Sequence, residues 1–206
     1  MEAWEYFQKG GPVMYLLLLC SIAVAVIGIE RYRFYRYAEK DSDGFMKNLS
    51  EWLKDRTLEQ NMAAFREQNS TLGYLAAAGT EAAVKGDDVG LAIDTAYGEI
   101  AMQLRARLNY LSMIVTLAPL LGLLGTISGM IESFSIFNLQ AGQPLAITGG
   151  IGEALVATAT GLCVAIFALV VHTYFAQRLD EELSILDKTS AIVLNGLRGK
   201  GEEHEA

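Results

Sequence analysis

The sequence predicts an all-α integral membrane protein with three transmembrane helices and a long helical cytoplasmic segment. Three apolar runs lead to this prediction, at 10–29, 108–131 and 154–177, and none of them contains Asp, Glu, Lys or Arg. A helix rises about 1.5 Å per residue, so each run is long enough to cross a hydrocarbon layer of roughly 30 Å. Buried helices of soluble proteins are usually shorter and amphipathic. No stretch of the chain alternates as a strand would.

The distribution of basic residues predicts the orientation. Of the 16 Lys and Arg residues, only Lys9 precedes the first apolar run, none lies between 132 and 153, and the others fall in 31–107 or after 177. Because cytoplasmic loops carry an excess of Lys and Arg, we expect a multi-pass protein of the cytoplasmic (inner) membrane with its amino terminus outside and its carboxyl terminus in the cytoplasm. The predicted segments are an external amino-terminal segment (1–10), transmembrane helix 1 (11–29), a cytoplasmic helical segment (30–107), transmembrane helix 2 (108–137), an external loop (138–148), transmembrane helix 3 (149–177) and a cytoplasmic helix and tail (178–206).

The first apolar run differs from a cleaved signal peptide. The residues before it contain two acids and one lysine, and no small-x-small cleavage site follows before "ERYRFYR". A signal peptide has a basic leading region and a shorter apolar core, so we expect a retained span. Cys20 and Cys163 fall inside predicted spans, where each serves as a small apolar side chain.

Helix signals continue through the cytoplasmic segment. Thr57 and Gln60 form the pattern of a capping box at the start of a short helix. An alanine-rich helix is predicted from Ser70 to about Val84, rich in residues that favour helix formation.

The second span is predicted to belong to a longer helix. Asp87 or Asp88 can cap its start, and no stop signal follows, so one helix is expected over about 88–137. Pro119 lies inside this stretch and predicts a kink, because proline removes a backbone donor from the helix interior.

Small residues recur along the second and third spans. Helices in lipid gain nothing from hydrophobic contact with each other, so close packing depends on small side chains. Two such series facing each other predict helix–helix contact and suggest an oligomer, without fixing its number of subunits. The predicted packing residues are Gly122, Gly125 and Gly129 in the second span and Ala154, Ala157 and Gly161 in the third.

Three polar side chains in these spans need an explanation. Thr126 and Thr158 each have two alternatives: a hydrogen bond back to a carbonyl of the same helix, or a place on an aqueous or protein-filled lumen. Glu153 opens an uncharged run of 24 residues, and a carboxylate at the bilayer centre costs at least about 2.5 kcal/mol. We therefore expect Glu153 a turn inside the membrane, facing protein, and Glu132 near the outer surface in solvent.

Several functional classes lack support in the sequence. There is no Walker loop, no paired metal-ligand motif and no Ser-His-Asp or Cys-His set, so neither an enzyme nor a metal or cofactor protein is expected. The net charge of −8 argues against nucleic acid as a partner. No Asp lies within a span, so the chain alone lacks an intramembrane proton carrier.

Two stretches carry a family resemblance. "APLLGLLGTISGMIESF" (118–134) and "GGIGEALVATATGLCVAIFALVVHTYF" (149–175) resemble the two signature helices of the MotA/TolQ/ExbB proton channel family. With "GGPVMYLLLLCSIAVAVIGIERYRF" (10–34) and three spans rather than four, the sequence is most similar to ExbB-type biopolymer transport proteins.

The resemblance implies an assembly and a mechanism. It implies a homo-oligomeric ring, a pentamer, around a single-span ExbD/TolR-type partner that carries the proton-binding Asp. Thr126 and Thr158 match the family's lumen threonines, Glu153 matches its third-helix glutamate, and Pro119 matches the proline of its second-span motif. Glu132 departs from the family pattern. Proton flow, worth about 2.3 kcal/mol per charge per 100 mV, would then energise a TonB-like protein for outer-membrane uptake.

Three other functions stay open on the sequence. One is a TolQ-like role in envelope maintenance, and another is a non-conducting membrane scaffold that uses the same small residues for assembly alone. A membrane enzyme is the third, disfavoured by the missing catalytic set. A neighbouring gene for a single-span protein with an intramembrane Asp would favour the channel over the scaffold and the enzyme.

Overall fold

The structure, a computed structural model, describes residues 11–68, 70–139 and 144–205; the side chains of 37–43, 136–139, 144–150, 153 and 198–205 lie outside this description. All regular elements in these residues are α-helices, which confirms the all-α prediction. The helices are α1 (Val13–Asp55), α2 (Leu58–Glu67), α3 (Thr71–Lys85), α4 (Val89–Arg105), α5 (Leu108–Leu139) and α6 (Pro144–Glu205).

Side-chain caps begin the three short helices. Thr57 caps α2, and a complete capping box joins its hydroxyl to the Gln60 amide and its own amide to the Gln60 side chain. Ser70 caps α3 through the Gly73 amide, and Asp88 caps α4 through the Leu91 amide. Each cap satisfies an amide that has no partner in the first helical turn. The predicted starts of these three helices are confirmed.

The predicted continuous helix over 88–137 is wrong, because the chain breaks between α4 and α5. Arg107 has a φ of 69°, in the left-handed region that a non-glycine residue seldom adopts. Two side chains of α1 hold the carbonyls at the end of α4: Arg31 Nη1 donates to Gln103 O at 3.2 Å, and the Tyr35 hydroxyl donates to Leu104 O at 2.9 Å. These long-range donors act as a carboxyl-terminal cap of α4, and no local sequence signal predicts it.

Helix bounds near the predicted external loop also differ from expectation. α5 extends to Leu139 and α6 begins at Pro144, so both helices reach into 138–148, and residues 140–143 lie outside the described part. Proline favours the first helical position because its fixed φ suits a helix and its missing amide has no partner there. Pro119 lies inside α5, and its predicted kink remains a prediction.

Three stretches of the described chain are long and apolar enough to cross a membrane: Val13–Arg36, Val89–Ser135 and Ala154–Leu197. The chain also divides into two compact units. One unit, the span unit, contains Met1–Glu30 and Arg107–Phe175, and the other, the charged unit, contains Arg31–Ala106 and Ala176–Ala206.

Two sets of close contacts lie in the core of the charged unit. Phe45, Trp52 and Phe65 form an aromatic cluster with ring centroids 5.6–6.2 Å apart. Gly79 of α3 packs so closely that a Cβ there would lie 2.9 Å from Ile93 of α4 and 3.1 Å from Val193 of α6. The aromatic cluster joins α1 to α2, and the close approach of Gly79 joins α3 to α4 and α6.

Candidate functional site in the α5–α6 hairpin

Within the span unit, α5 and α6 form a hairpin whose helices touch at their small residues. A Cβ built on Gly161 would lie 2.6 Å from the Ala118 carbonyl oxygen, and one on Gly125 would lie 2.6 Å from Ala157 Cβ. Gly129 faces Ala154 at 3.0 Å in the same way. Real side chains do not approach so closely, so the two series of small residues set the separation of the helices. Both series of small residues therefore make their close contacts within a single chain.

Thr158 lies at the closest part of this hairpin. Its Oγ1 donates to the carbonyl oxygen of Gly122 at 2.9 Å, a bond from α6 to α5. Neither alternative from the sequence described this contact, since the hydroxyl bonds to the neighbouring helix rather than to its own. The contact is available because Gly122 has no side chain: a Cβ there would lie 3.0 Å from Thr158 Cα.

Thr126 is one helical turn beyond Gly122 on α5. Its hydroxyl donates to Leu123 O at 2.7 Å, a bond within its own helix. In the α-helical pattern the Thr126 amide donates to the Gly122 carbonyl. The hydroxyl of Thr158 and the amide of Thr126 therefore meet at one oxygen atom, so the structure brings these two threonines together.

The two hydroxyls share a chemical restriction. A threonine hydroxyl has one hydrogen to donate and two lone pairs to accept. In both residues the hydrogen is engaged by a backbone carbonyl, and both side chains are half-exposed. Each oxygen can still accept a hydrogen bond from water or from a protonated acid, and donating to a carboxylate would require breaking the bond to the carbonyl.

The other polar residues of the hairpin occupy separate positions. Thr160 donates to Val156 O of its own helix at 2.8 Å. Glu132 is exposed, and its place near the outer surface stays a prediction. Glu153 lies in α6, but its side chain is outside the described residues. Sequence reasoning missed Ser133, which is 3% exposed and donates to Gly129 O at 2.7 Å. Its position four residues after Gly129, on the small-residue face, was the available signal.

The α5–α6 hairpin of the span unit is thus suited to lipid, with the Thr158 hydroxyl where the two helices are closest and large apolar side chains outside. Comparison with known proteins identifies the family of the chain. The model of the MotA/TolQ/ExbB proton channel family matches residues 53–188. The chain therefore belongs to the MotA/TolQ/ExbB proton channel family.

Individual relatives carry ExbB and TolQ names. The chain is 33% identical to a biopolymer transport protein of Synechocystis called ExbB-like 1, over 81% of this chain and 68% of that protein. It is 30% identical to ExbB-like 3 of the same organism, over 96% of this chain and 98% of that protein. The Tol-Pal system protein TolQ of Pseudomonas aeruginosa is 27% identical, over 85% of this chain and 83% of its own length.

Proposed function

We propose that the protein is the ring-forming subunit of a proton-motive-force-driven motor of ExbB type. In this proposal several copies surround a single-span ExbD/TolR-type partner whose intramembrane Asp takes up and releases protons. The observation that carries the proposal is the pair of threonines at the Gly122 carbonyl, which lie in a hairpin within the family match. The family membership supports a proton-channel motor subunit.

The outer surface of the hairpin supports association with lipid and with further copies. Large apolar side chains of the span unit are exposed along all three helices, among them Leu19, Leu120 and Val170, each at least 61% exposed. Because the small residues are used within the chain, these bulky side chains remain for contact between subunits. Ring formation, with the pentamer as its expected number, therefore depends on surfaces other than the glycine series.

The proposed chemistry uses the lone pairs of the two threonines. A protonated Asp of the partner can donate to the oxygen of Thr126 or Thr158, whereas an ionised Asp meets no free hydroxyl hydrogen there. The threonines would stabilise the neutral form of the acid during passage, and nearby water would accept the proton at either end. Glu153 is proposed to influence the outer part of this path, near the exposed Glu132.

The test measures proton flux in vesicles that contain the protein and its single-span partner. Thr126→Val is the sharper variant, because Thr126 bonds only within its own helix and its loss leaves the hairpin contact intact. We expect Thr126→Val and Thr158→Val to slow flux, with Thr158→Ser close to the parent. Thr160→Val, which removes a hydroxyl bonded within α6, is the matched control.

Two results would count against the proposal. If Thr126→Val and Thr158→Val both conduct protons as fast as the parent protein, the two hydroxyls serve packing and not proton transfer. Absence of any partner-dependent flux in the parent protein would favour a non-conducting scaffold.

A TolQ-like role in envelope maintenance is the second candidate. The similarity to TolQ of Pseudomonas aeruginosa over 85% of this chain favours it. Complementation separates the two candidates: rescue of TonB-dependent uptake in cells that lack ExbB supports the first, and rescue of detergent resistance in cells that lack TolQ supports the second. We also propose that the amino terminus is external and that the charged unit is cytoplasmic.

A further inference from the structure

Polar side chains line one side of the first half of α5, within the span unit. Asn109, Ser112 and Thr116 are all exposed, and they are spaced three and four residues apart. Residues at this spacing are neighbours along one side of an α-helix. Continued by three, four and three residues, the same spacing reaches Thr126 of the candidate site. We call Asn109, Ser112 and Thr116 the polar side of α5.

The adjacent exposed side of α5 is apolar. Met113, Leu117 and Leu124, spaced four and seven residues apart, are 37–54% exposed. A helix whose exposed side chains divide in this way suits contact with water on one side and lipid on the other. The polar side is also separate from the side that packs on α6, where Gly122 and Gly125 make their close contacts.

The polar side runs from a charged end of α5 into its apolar interior. Arg107 and Glu30 form an ion pair just before α5 begins, and both side chains are half-exposed. Charged groups avoid the hydrocarbon layer, so this pair marks the water-facing end of the helix. Thr116 lies eight residues after Leu108, about 12 Å further along the axis. Its hydroxyl is therefore well inside the apolar part of α5.

The backbone of α5 adds a polar group beside this side. Pro119 has no amide hydrogen, so the Val115 carbonyl loses its usual helical donor. The Thr116 hydroxyl does not replace that donor, because it donates to Ser112 O at 3.0 Å and to Met113 O at 3.1 Å. A backbone carbonyl inside a membrane needs a partner, and Val115 is only half-buried. Water can donate both to this carbonyl and to the Thr116 oxygen.

We propose that the polar side of α5 lines a water-filled passage from the threonine pair to the end of α5 at Arg107. A protonated acid at the threonine pair would give its proton to the first water and become a carboxylate. Each water would then pass on one proton as it takes up another. This inference rests on the proposed function and adds the route that protons take on one side of the threonine pair.

The first test measures water directly, without proton transport. In a chain with Cys20→Ala and Cys163→Ala, single cysteines replace Ser112, Thr116, Met113 or Leu117. Open membrane fragments that contain the protein and its single-span partner are treated with a charged methanethiosulfonate, which reacts with the thiolate. An apolar environment raises the pKa of a thiol, and each unit lowers the thiolate fraction about tenfold. We expect Ser112→Cys and Thr116→Cys to react at least about tenfold faster than the matched controls Met113→Cys and Leu117→Cys.

The second test measures partner-dependent proton flux in vesicles. Thr116→Val keeps the volume of the side chain and removes the oxygen that would accept from water, so flux should fall severalfold. Thr116→Ser should restore it, and Leu117→Val on the apolar side is the control. Recovery of the complex and circular dichroism of each variant check that assembly and helix content are unchanged.

Three outcomes would overturn the inference. Slow labelling at all four positions would show that lipid, the partner or another copy of the chain covers the polar side. Equally fast labelling at all four would show that no side of α5 is distinguished by water. Parental flux in Thr116→Val, with slow flux in Thr126→Val, would reject this route and leave the proposed function standing. Selective labelling without any flux in the parent would instead overturn the proposed function, and with it the proton route.

Discussion

The hydroxyl of Thr158 donates to the carbonyl oxygen of Gly122, 36 residues earlier in the chain, at 2.9 Å. This bond joins the third span to the second at the level where their small residues bring the backbones closest. Thr158, which the family resemblance matches to a lumen threonine, therefore also joins the two helices of the hairpin. A substitution that removes the Thr158 hydroxyl removes this bond and also affects the proposed lumen role, so its effects on stability and on flux must be measured separately.

Thr158→Val should destabilise the hairpin modestly. Valine fills a similar volume but donates no hydrogen bond, and bonds between membrane helices contribute about 0.6 kcal/mol on average. We expect a lower free energy of unfolding for Thr158→Val and almost no change for Thr158→Ser, measured in micelles by denaturant titration. Equal stability of the valine variant and the parent would contradict a stabilising role for this bond.

Gly161→Ala should destabilise the protein more than the small size of the added methyl group suggests. The new methyl group would lie 2.6 Å from the Ala118 carbonyl oxygen, which belongs to backbone and cannot turn aside. We expect a loss of roughly 1–3 kcal/mol of stability, the usual range for overpacking. Gly152→Ala is the control, since nothing lies within 4 Å of that added Cβ. Thermal unfolding of both variants checks the prediction, and similar melting temperatures would refute it.

Asn61→Leu should stabilise the charged unit. The Asn61 side chain is fully buried, and neither its oxygen nor its nitrogen has a hydrogen-bond partner within the described residues. A buried polar group without a partner costs about 1–3 kcal/mol, so a leucine of similar volume should raise the free energy of unfolding by a comparable amount. Asn48→Leu, at an exposed position, is the control. A lower melting temperature for Asn61→Leu would mean that the amide is satisfied.

Glu81 should make stability depend on acidic pH. Its carboxylate accepts hydrogen bonds from Lys85 and Arg66, both at 2.6 Å, and these bonds lower the pKa of Glu81 below its usual value. The stabilisation is present above the unfolded pKa and is lost as the pH falls through the lower, folded pKa. We expect Glu81→Gln to lower the urea midpoint at pH 7 and to match the parent near pH 2. Glu59→Gln, an exposed carboxylate on α2, is the control, and a difference that grows towards acid would contradict the assignment.

The orientation is tested by cysteine labelling from outside intact cells, in a chain whose Cys20 and Cys163 are replaced by alanine. Gln143→Cys, in the predicted external loop and outside the described residues, should react with a membrane-impermeant reagent. Lys54→Cys should react only after the membrane is opened. Reaction of Lys54→Cys in intact cells would contradict the predicted topology.

Local signals in the sequence were enough for the starts of α2, α3 and α4. The capping box of Thr57 and Gln60 and the cap at Asp88 depend on residues within one turn of each other, which is why they were predictable. The break before α5 was not, because the donors that end α4 come from Arg31 and Tyr35, about 70 residues earlier.

In the candidate site, too, local features were predictable from the sequence and long-range contacts were not. Composition marked the small residues and the threonines of the two spans, because glycine and hydroxyl groups are conspicuous in apolar sequence. The partner of Thr158 depends on the register between two antiparallel helices, and no signal in either helix alone fixes that register. The sequence therefore suggested two alternatives for this hydroxyl, and the bond to Gly122 was neither of them.

The close contact between Gly161 and Ala118 also bears on how the protein is made. Since the glycines and alanines find their counterparts inside one chain, a newly inserted polypeptide can complete its tightest packing before it meets another copy. For the proposed ring, insertion and assembly would then be separate events, in keeping with membrane helices that first insert and afterwards associate. Each hairpin would then be closely packed whether or not further copies are present.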